Sequence, residues 1–283
     1  MRFDGKVAII TGAGGGLGRA YALELARRGA KLVVNDLGGS THGSGKSSAA
    51  ADQVVQEIKA AGGEAVANYD SVEDGAHIVQ SALDHFGRVD IVINNAGILR
   101  DKTFHNMTPE LLEPVIQVHL LGAFYVTQPA WLIMREKGYG RVVNTSSNSG
   151  ILGNFGQSNY GSAKMGLVGF TRVLANEGRK YNIKANAIAP IAATRMTEDI
   201  LPPEVLKNLT PEYVAPVVGY LCTEEVPDSA SVFIVGGGKV QRTALFQNEG
   251  VTFTSPPSVS DIAARWSEID DLSAAKQATF SLQ

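Results

Sequence analysis

Through most of the chain, short unbroken apolar runs alternate with longer stretches whose apolar positions recur every three or four residues, as buried strands and amphipathic helices do. The runs are KVAII (Lys6–Ile10), KLVVN (Lys31–Asn35), EAVAN (Glu64–Asn68) and VDIVI (Val89–Ile93), and RVVNTSS closes a further strand at Ser147. Between them RAYALELARRGA, QVVQEIKAA and HIVQSALDHF carry helical spacing. Strands that alternate with helices, each running into a polar or glycine-rich turn, predict an α/β protein with a doubly wound parallel sheet and helices on both faces. Ligands of such sheets bind beyond the carboxyl ends of the strands, so the turns there are where function is sought.

The first run leads into Thr11-Gly12-Ala13-Gly14-Gly15-Gly16-Leu17-Gly18 and then a helix. Glycine lets backbone approach a phosphate closely, and the first turn of a helix offers free N–H groups and a positive dipole end to a pyrophosphate. The spacing departs from the G-x-G-x-x-G fingerprint, since Leu17 stands where the last glycine falls if counting begins at Gly12. Glycine-rich turns also serve as plain linkers; the tight setting between strand and helix points to phosphate. The second run ends in Asp36, twenty residues after Gly16, where a carboxylate bonds the ribose hydroxyls of NAD and repels the extra phosphate of NADP. The segment that follows, LGGSTHGSGKSSAAAD, reads as a mobile surface loop in which His42 and Lys46 are solvated. Asp70, Ser71 and Val72 end the third run, with Asp70 either accepting an adenine amino group or capping the helix that starts near Glu73. The fourth gives Asn94-Asn95-Ala96-Gly97.

Residues 144–164, NTSSNSGILGNFGQSNYGSAK, gather a different chemistry. Tyr160 and Lys164 are four apart and share one face of a helix. A phenol titrating near pH 10 is a weak base at neutrality, and a cation one turn away favours the phenolate. Ser147, thirteen residues earlier, is placed to hydrogen-bond a substrate oxygen while Tyr160 exchanges its proton. A Tyr-x-x-x-Lys pair taken alone is more often a surface pair; the strand-end turns are what give this one weight.

The 283 residues, 44% hydrophobic and 19% charged, describe an ordinary globular protein with one large core. A net charge of −3 with no clustered Lys or Arg argues against nucleic acid. The single cysteine, Cys222, allows no internal disulfide and no cysteine-rich metal site, and no metal is expected. No apolar run reaches the length of a membrane span, and MRFDGKVAII meets a glycine loop too soon for a signal peptide, so a location inside the cell is expected.

Thr11-Gly-x-x-x-Gly-x-Gly18, Asn94-Asn-Ala-Gly97, Ser147 and Tyr160-x-x-x-Lys164 together resemble the short-chain dehydrogenase/reductase family in order and spacing, over residues 1 to about 240. VVNDLGG, NNAGILRDK, ILGNFGQSNY and APIAATRMTE are similar, more narrowly, to the (3R)-hydroxyacyl-CoA dehydrogenase units of peroxisomal multifunctional enzymes, as is the tail Phe253–Ala278 with a helix around SVSDIAARWSEI. The resemblance implies a Rossmann-type domain at 1–240 with a lid at about 190–210, and an extension at 241–283 packed on it. It further implies Tyr160 as acid/base, Lys164 on the nicotinamide ribose, Ser147 on the substrate, and Gly12, Gly16, Leu17, Gly18, Asp36, Asp70, Ser71, Val72, Asn95, Ala96, Gly97, Pro190, Ala192 and Thr194 around NAD. His119 stands where the wider family has an asparagine that holds a relay water; on an apolar helix a lone histidine is more often a satisfied core residue. The implied reaction is oxidation of a (3R)-3-hydroxyacyl-CoA, with a hydroxysteroid or a steroid side-chain thioester as the nearest alternative substrate and a non-catalytic NAD(H) sensor as the alternative of another kind. A homodimer or tetramer is implied through the apolar helices around 107–136 and 158–180. The location implied is cytoplasmic for a stand-alone bacterial enzyme and peroxisomal for part of a multifunctional one.

Overall fold

Seven strands of the sheet come in the order β3 (Glu64–Asn68), β2 (Lys31–Asn35), β1 (Val7–Thr11), β4 (Ile91–Asn94), β5 (Gly140–Thr145), β6 (Ile183–Pro190) and β7 (Val232–Gly236), each paired in parallel with the next. β8 (Lys239–Thr243) follows β7 at the edge. The structure, a computed structural model, describes residues 1–193, 204 and 207–278, so Thr194 and most of the expected lid lie outside the described residues. Two compact units make up the chain, Met1–Gln241 and Arg242–Gln283.

The second and third predicted runs become β2 and β3 with their predicted bounds. β1 and β4 lie one or two residues further on than their apolar runs, because Thr11 and Asn94 still pair in register with Asn35 and Asn144. β6 and β7 stand outside those runs, although VFIVG in β7 is rich in β-branched and aromatic residues. IKANAIAP is rich in alanine, which has little preference for strands, and only its central position in the sheet makes it one.

The two faces follow from the alternation of side chains along each strand. Ala8 and Ile10 point into a core shared with α1 (Gly16–Arg27), α2 (Ala49–Ala60) and the short helix Ala215–Leu221. Val7 and Ile9 point into the opposite core with α3 (Gly75–Phe86), α5 (Gly122–Lys137) and α7 (Ser158–Gly178). α4 (Pro109–Ile116) joins α5 through a π-helical turn, Gln117–Leu121, and α6 is a single turn at Asn148–Ile151. Among the described residues no helix is long and apolar enough to cross a membrane.

Where the strands end, amides and hydroxyls take over the pairing. Asn35 Nδ2 donates to Asn68 Oδ1 at 2.8 Å. Thr11 Oγ1 accepts from the N–H groups of Asn95 and Ala96, both at 3.0 Å, while Asn95 Nδ2 donates back to the carbonyls of Thr11 and Gly12. Asn94 Nδ2 donates to Asn144 Oδ1 at 2.8 Å, and Asn144 Nδ2 to Thr171 Oγ1 on α7 at 2.9 Å. A polar row thus crosses the sheet at its carboxyl edge, the edge on which the glycine loop and the other turns stand.

In the unit Arg242–Gln283, β9 (Phe246–Gln247) pairs antiparallel with β10 (Lys276–Gln277). The expected helix around SVSDIAARWSEI is divided at Arg265 into Val259–Ala264 and Trp266–Ile269, the first opened by a reciprocal capping box between Ser258 and Asp261.

The Thr11 hydroxyl is the acceptor for two N–H groups, so Thr11→Val, nearly the same shape, leaves both without one. A loss of about 2 kcal/mol in unfolding free energy is expected by urea denaturation, and Thr11→Ser should recover most of it.

Candidate active site

Ser147 follows the last residues of β5 and begins α6; its hydroxyl accepts from the Ser149 N–H at 3.1 Å and stands near enough to the phenol of Tyr160 to favour its ionised form. Tyr160 lies in the first turn of α7 and Lys164 one turn on, as their spacing predicts. The Lys164 ammonium is 5.5 Å from the centre of the Tyr160 ring and donates to the Thr145 carbonyl at the end of β5.

The electrostatics differ from the expectation that Lys164 would draw the phenol down. Burial pushes Tyr160 up to about 12; the Ser147 hydroxyl pulls it the other way, and the Asp101 carboxylate adds to the rise. Burial pushes Lys164 down to about 7. The cleft itself therefore disfavours charge on either group.

His119 comes from the π-helical turn, a feature that often marks function because the extra residue re-aims a side chain. Its ring is edge-on to that of Tyr160, with centres 5.1 Å apart. Nε2 lies 2.9 Å from the Ile98 nitrogen and 2.8 Å from the Ile98 carbonyl oxygen, whereas Nδ1 is buried without a protein partner. The reading of a satisfied core histidine holds for one ring nitrogen only. Burial, with Lys164 adding to it, holds His119 well below the usual imidazole range. A Cβ on Gly97 would stand 2.3 Å from His119 Cε1, so the glycine of the fourth turn is what admits the ring.

A cavity of about 420 Å³ runs along the strand ends, and Gly12, Gly16, Leu17, Asp36, Asp70, Ser71, Val72, Asn95, Ala96, Gly97, His119, Tyr160, Lys164, Pro190 and Ala192 all line it. Gly18 does not: it packs α1 onto the loop, where a Cβ would lie 2.2 Å from the Gly12 carbonyl oxygen. Asp36 Oδ2 accepts from the Gly14 N–H at 2.8 Å and Oδ1 from the Gly38 N–H at 2.7 Å, so this carboxylate also fixes the glycine loop. Asp70 is no helix cap. Its carboxylate accepts from Asn68 Nδ2, and the Ser71 hydroxyl caps the turn through the Glu73 N–H.

The segment after Asp36, expected to be a mobile solvated loop, is docked across the cleft. The Thr41 carbonyl accepts from the Leu99 N–H, the His42 ring bonds the Leu99 carbonyl at 2.9 Å, and Arg100 Nε donates to the His42 carbonyl at 3.1 Å. Gly and Ser content announces backbone freedom; it says nothing of a partner fifty-odd residues away.

A glycine loop at the head of α1, a carboxylate at the end of β2 and a tyrosine–lysine pair around one cleft define a dinucleotide-binding oxidoreductase. The chain belongs to the short chain dehydrogenase family, which matches residues 6–204 and whose members use NAD(P). It is 64% identical to a short-chain type dehydrogenase/reductase of Mycobacterium tuberculosis, over 98% of each chain. It is 50% identical to the mouse peroxisomal multifunctional enzyme type 2, over 98% of this chain and 38% of that one. The full-length Drosophila melanogaster peroxisomal multifunctional enzyme type 2 superposes with a TM-score of 0.85 at 41% identity, over 99% of this chain and 48% of that one. The chain thus spans less than half the length of either multifunctional enzyme.

His119 refuses in the folded protein a proton that the unfolded chain accepts near pH 6.5. Unfolding free energy should therefore fall as the pH drops through that value, by up to about 1.4 kcal/mol per pH unit. Urea titrations of wild type and His119→Gln between pH 7.5 and pH 5 read this directly, and the variant should show the shallower slope.

Proposed function

We propose that the chain oxidises the hydroxyl of a (3R)-3-hydroxyacyl-CoA to the 3-oxo thioester, reversibly, with NAD as hydride acceptor. The observation that carries the reading is the grouping of Tyr160, Lys164 and His119 in one cleft with a glycine loop and Asp36, which suit a dinucleotide. The resemblance of NNAGILRDK and ILGNFGQSNY to (3R)-hydroxyacyl-CoA dehydrogenase units supports the thioester over other alcohols.

The cleft fits NAD on its own chemistry. The glycine loop presents backbone N–H groups at the start of α1, and Asp36 gives one lone pair of each oxygen to the backbone while keeping others for ribose hydroxyls. NAD supplies the hydride acceptor and, when oxidised, a positively charged ring. Ser147 and Tyr160 converge on the substrate oxygen: the serine holds it, and the tyrosine takes its proton on oxidation or returns it on reduction. Lys164, fixed by the Thr145 carbonyl, is the cation that reaches ribose. Because burial keeps the phenol protonated, oxidation needs added positive charge to favour its ionised form, and should be fastest at alkaline pH.

The chain pairs, on this reading, through α5 and α7, whose outer faces leave Phe124, Tyr125, Leu132, Met165 and Val173 exposed, with Phe124 stacked on Phe170. Light scattering at micromolar concentration should give a dimer or tetramer, and a monomer contradicts the pairing.

NADH production from a panel of (3R)-hydroxyacyl-CoAs and hydroxysteroids tests the reaction. Thioesters should turn over best, Tyr160→Phe should lose at least a thousandfold in kcat with nucleotide affinity kept, and Asp36→Ala should raise the relative use of NADP. Equal use of NADP by the wild type counts against Asp36 as selector; faster turnover of steroids overturns the substrate; a fully active Tyr160→Phe overturns the mechanism.

A further inference from the structure

The first turn of α7, which carries Tyr160, is tied to a segment that enters the fold some sixty residues earlier. Asn159 Nδ2 donates to the carbonyls of Arg100 and Leu111, both at 2.9 Å, and its Oδ1 accepts from the Tyr160 N–H at 2.7 Å. The Lys102 N–H donates to the Gly156 carbonyl at 2.8 Å, and Lys102 and Gln157 bridge as two residues of a parallel ladder do. Gln157 occupies the N-cap position of α7, yet its side chain makes no cap hydrogen bond. It turns away: Nε2 donates to Asp101 Oδ2 at 2.6 Å, and Oε1 accepts from Asn154 Nδ2 at 2.9 Å. A residue that leaves the cap and holds a carboxylate ties that carboxylate to the turn that carries the tyrosine three residues on.

We propose that Asp101, held by Gln157, is a positioning residue for the reaction: the pair sets the stance of Tyr160 at the start of α7 and keeps a negative charge beside its phenol. This rests on the reading of Tyr160 as the acid/base. Around the phenol stand Ser147 from the start of α6, His119 from the π-helical turn, Lys164 one turn along α7, and Asp101 from the segment after β4. Of these, His119 is held neutral and Lys164 is drawn toward neutrality by burial, so Asp101 carries the negative charge among them. That charge favours the phenol over the phenolate. Tyr160 is thereby biased toward its proton-donating form, the one that reduction of a 3-oxo thioester uses. The bond from Gln157 does not itself need the charge, since an asparagine at 101 offers the same acceptor oxygen.

Charge and placement therefore separate by mutation. Asp101→Asn keeps the acceptor and removes the charge; the alkaline rise of kcat/KM for oxidation should move to lower pH by about half a unit, with a smaller loss of plateau rate than in Asp101→Ala. Because Asp101 is exposed, the shift should shrink in high salt. Gln157→Ala removes the tether; plateau kcat should drop about tenfold, and the alkaline rise should move in the same direction as in Asp101→Asn but by less, since the charge stays and is no longer held. Asp101→Ala should show both effects. NMR of ¹³C-labelled tyrosine in the protein with NAD, its Tyr160 signal assigned by Tyr160→Phe, follows the phenol with no substrate present. A failure of the thioester reaction is thus distinguishable from a failure of this proposal. Identical titration of Tyr160 in wild type and Asp101→Asn, or wild-type kcat in Gln157→Ala, overturns it.

Discussion

A parallel sheet has to stop somewhere, and the backbone groups at its carboxyl edge then have no further strand to bond. Everything else in this protein depends on how that edge is closed. Thr11 and Asn95 close it between β1 and β4 by exchanging hydrogen bonds through side chains, and Asn35, Asn68, Asn94 and Asn144 extend the closure to either side. Buried polar groups are costly unless satisfied, and every amide donor of this row finds an acceptor, with Asn94 Oδ1 left buried without a protein partner. The glycine loop, Asp36 and the Asn94–Gly97 turn all stand on it.

Beyond that row the cleft is governed by desolvation. Lys164 and His119 are buried with Tyr160 half-buried beside them, and each of the three is pushed toward its uncharged form. A cation and a phenol spaced along a helix suggest attraction when read as a sequence; in the fold, the depth at which both are set outweighs their spacing. The site is better described as one that withholds charge until a ligand supplies the complement.

Much of this is legible in the chain itself. Strands such as KLVVN are visible as compact apolar runs between turns, whereas IKANAIAP, alanine-rich and closed by proline, gives no such run. The Tyr160–Lys164 face, the phosphate loop and Asp36 can be found because each depends on spacing within one element or one turn. What stays hidden joins distant segments: Gln157 to Asp101, His42 to Leu99, Thr11 to Asn95. Composition even misleads over residues 37–48, a glycine- and serine-rich segment that looks free and is docked. Gly18, expected at the nucleotide, packs α1 closely onto the glycine loop.

The π-helical turn at Gln117–Leu121 has a meaning that extends past His119. One residue more than an α-helical turn advances every later side chain by about 100° around the axis. The turn therefore sets the phase of α5 as well as the aim of the histidine, deciding that Val126, Ala130 and Met134 face the core while Phe124, Tyr125 and Leu132 face outward. Catalytic pocket and outer helix face are locked to a common phase, so an insertion or deletion between α4 and α5 cannot retune one without rotating the other.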